Sequence, residues 1–510
     1  MSVRPNAVIR ADADPAIGGG HVIRCLSLAA ELSDLGWDLS LAMTEGGIPA
    51  DGMEKAAICR RIPLPTERAR HPETLIERAG GSCRLAIIDH YGLDAAYERE
   101  LRDWASRIMV IDDLVDRPHD CDFLLDPSYG RTAADYAGLV PPSCRVLLGP
   151  AYALLRPAFA RRRQASLARR RRNTDVHRLF VSFGLSDPSN MTSRALEGIA
   201  AADLENVTVD VVLGPQARHL AEVQACIAEG KSNVRVHINP SNLADLMAAA
   251  DIALGAGGGT TWERCCLGVP TVAIPCAENQ NANLSNLAST GAATTLSPES
   301  TSADISKALT RLAGSATVRR EMSDKAALLC DGLGARRAGL AVQPEPAESA
   351  NITLRPVTAA DTKRVFDWQT EPGARDFSRN TQPPTPEGHE AWMGARLNQP
   401  EGIFEIIECD GEPAGFVRLD PYGEEKGSGG PDQGGAVDLE VSILVGRDHQ
   451  GIGTGQAALR ALRRLEPDAR LHAAIREDHA TSLRIFENCG YQRAGETFVN
   501  LPGPERGALH

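Results

Sequence analysis

Along the first 340 residues, short apolar runs alternate with longer stretches whose apolar positions recur every three or four residues. Residues 6–12 predict a strand, residues 22–36 an amphipathic helix and residues 38–44 the next strand. Apolar runs at 84–91, 106–113 and 121–128 continue the series at the intervals of βαβ units in a parallel sheet. A second series starts at 177–184 and runs through 207–214, 233–240, 251–258 and 270–276. The two series predict an N-terminal Rossmann-like domain over 1–160 and a second one over 175–340, doubly wound and facing each other across a cleft. Between them, residues 156–173 carry a dense arginine cluster that reads as a solvated connector. Residues 341–351, rich in proline, alanine and glutamate, read as a linker. A fresh strand-then-helix pattern opens a third domain over 352–510, which contains a polar, glycine-rich loop at 423–436.

Composition narrows the function classes. The chain of 510 residues has a net charge of −13 and only 4% aromatic residues, which argues against a nucleic-acid partner. No apolar run approaches the roughly 20 residues of a membrane helix, and the N-terminal segment lacks the apolar core of a signal peptide. The 12 cysteines are scattered, without metal-ligand spacing. The expectation is a cytoplasmic protein with reduced thiols, no metal and no membrane insertion.

The chemistry gathers at glycine loops. After the first strand, Gly18, Gly19 and Gly20 precede His21 at a helix start. Glycines there let a ligand approach the backbone, and the helix start offers free N–H groups and positive potential. The same positive end favours an imidazole that accepts a proton. Arg10, Asp12 and Arg24 flank His21, while Asp89, His90 and Tyr91 end another strand of that domain. The second series offers a partner loop: Gly255, Gly257, Gly258 and Gly259 before Thr260, with Glu263 one turn into the helix. Its amides suit a phosphate and Glu263 the hydroxyls of a ribose. Gly184 and Ser186 follow another strand, and Asn279 and Gln280 follow the last. Two such loops from facing domains suit a nucleotide-sugar.

These motifs, in order RADADPAIGGGHVIRCLSLA, IIDHYGLD, VIDDLVDRPHDCDFLLDP, FVSFGLSDPSN and GAGGGTTWERCCLGVPTVAIPCAENQ, resemble the hydrolase family of pseudaminic-acid synthesis, relatives of GT-B glycosyltransferases. The resemblance covers residues 5–340 and implies a GT-B arrangement. It also implies removal of UDP from UDP-2,4-diacetamido-2,4,6-trideoxy-β-L-altropyranose with water as acceptor. His21 would then activate water, the amides of Gly257 to Thr260 would stabilise the leaving UDP without a metal, and Glu263 would hold the ribose. Leu185 departs from the family, which more often has a second glycine there. The alternative reading is a GT-B glycosyltransferase with a UDP-sugar donor.

In the last domain, a strand ending at Val445 is followed by Gln450, Gly451, Gly453, Thr454 and Gly455 at a helix start, another anion cradle. The Q-x-x-G-x-G spacing resembles GNAT N-acetyltransferases, as do residues 352–368 and 476–495. The resemblance implies a GNAT α+β fold with acetyl-CoA as co-substrate. Glu440, on the strand before the loop, is the candidate base. Many members have asparagine where His479 stands and a tyrosine acid where Phe486 stands, which leaves Tyr491 or water as proton donor. Trp392 resembles a residue facing the nucleotide-sugar in acetyltransferases of the same pathway. That pairing implies acetylation of the 4-amino group of the precursor UDP-sugar.

Overall fold

Ile9 and Ala11 in the first strand are fully buried, as a strand covered by helices on both faces requires. The computed structural model describes residues 4–13, 19–45, 56–67, 71–204, 206–215, 217–229, 233–343, 351–422, 437–495 and 497–502. Among them, the first sheet contains β1 (Asn6–Ala11), β2 (Asp38–Thr44), β3 (Cys59–Leu64), β4 (Cys83–Asp89), β5 (Ala105–Ile111), β6 (Phe123–Asp126) and β7 (Arg145–Leu148). All its pairings are parallel, in the order β3-β2-β1-β4-β5-β6-β7. The order reverses between β1 and β4, where Ala11 lies beside Asp89. Doubly wound sheets bind ligands at such a reversal.

The second sheet repeats this plan with β8 (Arg178–Ser182), β9 (Thr208–Leu213), β10 (Asn233–Ile238), β11 (Ile252–Ala256), β12 (Thr271–Ile274) and β13 (Thr294–Thr295). It is again parallel, in the order β10-β9-β8-β11-β12-β13, and reverses between β8 and β11. Both Rossmann-like sheets lie in one compact unit, Met1–Ala338, separate from a second unit, Gly339–His510.

The arginine cluster departs from expectation. It forms the helix Pro157–Arg172, in which Arg163 and Arg170 are buried instead of solvated. Arg163 donates to the carbonyls of Cys266 (2.6 Å), Cys330 (2.9 Å) and Ala327 (2.6 Å). Arg170 donates to Leu267 (2.9 Å) and Ala250 (2.7 Å). These carbonyls end the helices Thr260–Cys266, Ala316–Leu329 and Leu243–Ala249, whose last C=O groups have no partner of their own. A cation at a helix C-terminus also meets its negative end. Burial pushes the Arg170 guanidinium down to about 9. The cluster is thus an internal clamp of the second domain. In the other direction, the helix Gly334–Ala341 reaches the first domain: Arg336 lies 3.5 Å from Glu31, and Arg337 donates to Ala151 O at 2.9 Å.

The second unit holds β14 (Ile352–Pro356), β15 (Ile403–Cys409), β16 (Glu412–Pro421), β17 (Asp438–Val445), β18 (Arg470–Ala473), β19 (Gln492–Ala494) and β20 (Thr497–Asn500). Their order is β14-β15-β16-β17-β18-β20-β19, and only β17 and β18 pair in parallel. That pairing covers Asp438 to Glu440, so the rest of β17 continues beyond its partner and the sheet opens there. Residues 344–350 of the expected linker and the loop 423–436 lie outside the described residues.

Replacing Arg163 with alanine strands three buried carbonyls, which cost roughly 1–3 kcal/mol each when left unsatisfied. Arg163→Ala is therefore expected to lower the urea-unfolding stability of the protein by about 3 kcal/mol, with Arg161→Ala, at an exposed position of the same helix, changing it little.

Candidate active sites

In the first unit, Asp89 closes β4 directly beside the end of β1, and the helix Gly20–Asp34 starts above both. Gly19 is its N-cap, and a side chain at Gly20 would meet open space. Gly18 lies outside the described residues. His21, in the first turn, is buried, and its Nδ1 is 2.5 Å from Asp89 Oδ1. Arg24, one turn on, donates from Nε and Nη2 to the two oxygens of Asp89 at 2.7 Å each. Its Nη1 reaches Asp113 at 3.2 Å. Burial alone would raise the Asp89 carboxyl, but Arg24 and His21 outweigh it and hold Asp89 well below the usual carboxylate range. An ionised Asp89 favours a proton on Nδ1, which leaves Nε2 as the accepting nitrogen, an arrangement suited to general-base chemistry.

Tyr91 sets its ring edge-on to His21, with centroids 4.5 Å apart. Burial, then the negative charge of Asp113, pushes its phenol well above the usual range. Asn279, beyond β12 of the second domain, donates to the Tyr91 hydroxyl at 3.1 Å. The next residue, Gln280, accepts from the amides of Gly257 and Cys276 at 2.9 Å each. A short chain of contacts thus runs from the glycine loop after β11 through Gln280, Asn279 and Tyr91 to His21.

That loop is shaped by what lies beneath it. Arg264 is fully buried and donates to Ala256 O at 2.6 Å and to the hydroxyls of Thr260 (3.1 Å) and Thr261 (3.2 Å). Burial pushes its guanidinium down to about 10. A side chain on Gly255 would come within 2.5 Å of Arg264, and one on Gly257 within 2.7 Å of Leu284, so both positions require glycine. The helix begins to hydrogen-bond with the amides of Thr261 and Trp262, leaving Gly258, Gly259 and Thr260 ahead of it. Glu263 is buried, and one of its oxygens accepts from Arg156 at 3.1 Å. Gly184 follows β8 with φ of 99° and leads to Ser186. Leu185 spends its carbonyl on the Gly214 amide at 2.8 Å, and the Asp187 carboxylate caps the helix Met191–Ala201.

Arg10 and Asp12, expected to orient His21 or contact the sugar, meet Thr44 and His90. Arg10 donates to Asp12 (2.7 Å) and Thr44 (3.1 Å), and Asp12 accepts from the Thr44 amide at 2.8 Å. They form a second cluster with His90, whose Nε2 is 3.5 Å from Asp12. Burial would raise the Asp12 carboxyl, but His90 and Arg10 outweigh it and lower it strongly. Gln280, expected to face the ligand, braces the glycine loop through its carbonyl oxygen. Asp113 and Arg264 were missed. The Asp112-Asp113 pair at the end of β5 was a usable signal for the first; Arg264 resembles any arginine on a surface helix.

In the second unit, a cleft of about 1370 Å³ opens where β17 outruns β18. Val445, Gln450, Gly451, Gly453, Thr454 and Gly455 all line it, together with Glu440, Trp392, His479 and Phe486. Gly451 and Gly453 have φ of 78° and 91°, a backbone that other residues rarely adopt, and a side chain at either would meet nothing. Gln450 Nε2 ties the loop to Val445 O at 2.9 Å. This open loop at the start of the helix Thr454–Leu465 fits the pyrophosphate of acetyl-CoA. Glu440 is ion-paired with Arg379. Trp392 packs on Phe404, with centroids 5.7 Å apart, and Arg418 lies 5.6 Å over its ring. The structure does not bring Tyr491 into this group. Its ring is buried at 3% exposure against Phe486, and it is not among the residues lining the cleft. Among the described residues, no group of three His, Cys, Asp or Glu is placed to hold a metal, and no helix is long and apolar enough to cross a membrane.

Comparison with known proteins agrees with this division. Residues 179–336 match the glycosyltransferase family 28 C-terminal domain, and residues 351–492 match the acetyltransferase (GNAT) domain. An uncharacterized protein of Methanocaldococcus jannaschii is 22% identical over 498 residues, 94% of this chain and 96% of that protein. The UDP-2,4-diacetamido-2,4,6-trideoxy-beta-L-altropyranose hydrolase of Campylobacter jejuni is 28% identical over 290 residues, 56% of this chain and 96% of the hydrolase. The crystal structure of MurG from Acinetobacter baumannii aligns with 66% of this chain and 99% of its own at 15% identity and a TM-score of 0.49. The chain therefore joins two Rossmann-like domains, homologous over 290 residues to that hydrolase, to a C-terminal domain that matches the GNAT acetyltransferase family model.

Proposed function

We propose that the chain is a cytoplasmic bifunctional enzyme of pseudaminic-acid synthesis. Its GNAT domain acetylates the 4-amino group of a UDP-amino sugar, and its GT-B part removes UDP from the resulting UDP-2,4-diacetamido-2,4,6-trideoxy-β-L-altropyranose by hydrolysis. The observation that carries the hydrolase reading is the His21–Asp89 pair, linked through Tyr91, Asn279 and Gln280 to the Gly257 loop. A base without a diphosphate cradle, or the reverse, would not serve this reaction; here they share one network.

In the hydrolytic step His21 Nε2 takes a proton from water as the water oxygen bonds to the anomeric carbon. The anomeric C–O bond breaks and its electron pair stays on UDP. Asp89 stabilises the imidazolium that forms, and the amides of Gly258 to Thr260 receive the charge growing on the diphosphate. Glu263 holds the ribose, with Arg156 keeping its carboxylate in place. In the acetyl step the substrate amine bonds to the acetyl carbon, its proton passes to Glu440, the C–S bond breaks, and the CoA thiolate takes a proton from solvent. The amides around Gly451 to Gly455 hold the co-substrate's pyrophosphate.

With the UDP-diacetamido sugar as substrate, His21→Ala is expected to lower UDP release by ~10²–10⁴-fold while CoA release from acetyl-CoA and the UDP-amino sugar is unchanged. Water labelled with ¹⁸O should leave its label in the free sugar. Label in UDP, or no UDP without a sugar acceptor, would replace hydrolysis at carbon by attack at phosphorus or by glycosyl transfer. Conversely, Gly453→Ala, which puts a side chain at φ of 91°, should raise the KM for acetyl-CoA and leave UDP release intact.

A further inference from the structure

The segment between the helices Thr362–Thr370 and Pro386–Leu397 has no part in the chemistry above, yet it crosses the acetyltransferase cleft. It starts at Glu371, whose carboxylate accepts from the Arg447 amide at 3.0 Å beside the glycine cradle. Phe377 then stacks flat on His479 of the opposite wall, with centroids 3.9 Å apart and planes 6° from parallel. Two residues later, Arg379 pairs with Glu440. The Arg379 side chain is 74% exposed, while that of Glu440 is 18% exposed. An exposed arginine on a crossing segment thus covers the carboxylate that must receive the amine proton.

The charges around the cleft say what displaces it. Among the described residues, Arg375, Arg379, Arg418, Arg476 and Arg484 line it, against one lining carboxylate, Glu440. Asp420 pairs with Arg418 (2.6 Å), Asp478 with Arg476 (2.8 Å) and Glu440 with Arg379, so the positive excess among these groups lies with Arg375 and Arg484. Such a wall repels a polyamine or an aminoglycoside-like cation and attracts phosphate oxygens, the planar bidentate partners of a guanidinium.

We propose that Arg379 is the specificity-determining residue of the acetyltransferase site: it neutralises Glu440 until the phosphate of an anionic acceptor draws its guanidinium away, which both anchors the acceptor and frees Glu440 as base. This rests on the reading that the acceptor is a nucleotide-linked amino sugar. The step itself keeps its balance: nitrogen bonds to the acetyl carbon, sulfur leaves as thiolate, and Glu440 gains the amine proton.

The test compares three acceptors on the full chain by CoA release: the UDP-amino sugar, the same amino sugar without its nucleotide, and spermidine. Arg379→Ala, Arg379→Lys and the parent are used, with acetyl-CoA affinity measured for each to confirm an intact cradle. For the UDP-amino sugar, Arg379→Ala should raise KM about 10- to 100-fold, and Arg379→Lys should recover most of it. For the nucleotide-free sugar, the same Arg379→Ala change should leave KM unaltered and raise kcat, because Glu440 is uncovered. If the parent acetylates the UDP-amino sugar and Arg379→Ala leaves both constants unchanged for it, the proposal fails and the assigned reaction stands. If the parent acetylates spermidine and leaves the UDP-amino sugar untouched, the assigned reaction and the proposal fall together.

Discussion

The buried carboxylate of Asp89 is the constraint on which the candidate site of the first unit depends. It sits at the reversal of strand order, beside Ala11, and receives His21 and both arms of the Arg24 fork. An isolated carboxylate buried to this degree would take up a proton. Arg24 keeps it charged, and the charge in turn favours the proton on His21 Nδ1. The helix carrying His21 is thereby tied at its start to the end of β4.

The two anion cradles reach similar ends by different means. Around Gly255 and Gly257, glycine is needed because Arg264 and Leu284 occupy the space a side chain would fill. Around Gly451 and Gly453, space is free and the backbone turn itself excludes other residues. The first loop is thus held from below and from the side, by Arg264 and Gln280, while the second is open toward its ligand. A loop braced in this way suits a site where the charge of a leaving group must be met without rearrangement. An open loop suits a co-substrate that enters and leaves intact in its phosphates.

Buried and half-buried arginines perform much of the internal construction. Arg163 and Arg170 gather helix C-termini, Arg264 supports a glycine loop, and Arg24 holds Asp89. Read along the chain, the run at 156–173 looks like a solvated face, because charge density in one dimension carries no information about the carbonyls that converge on it in three. The same limit applies to Arg10 and Asp12, whose shared partner Thr44 cannot be read from the stretch around them. It also explains Tyr491, a plausible proton donor by position that the fold packs against Phe486 outside the cleft.

By itself the sequence determined the two parallel α/β series, the third domain and the places where glycines precede helix starts, because hydrophobic period and glycine position are local properties that survive without a partner. It also marked His21, Asp89, Glu263 and Glu440 as chemistry-bearing residues at strand ends and helix starts. Only the tertiary structure decided which of them meet. The His21–Asp89 contact spans 68 residues and the Asn279–Tyr91 contact 188, separations over which no periodicity operates. The pairing of Arg379 with Glu440 across 61 residues belongs to the same kind: strand register and a crossing segment bring the charges together, and neither can be read from the residues that carry them.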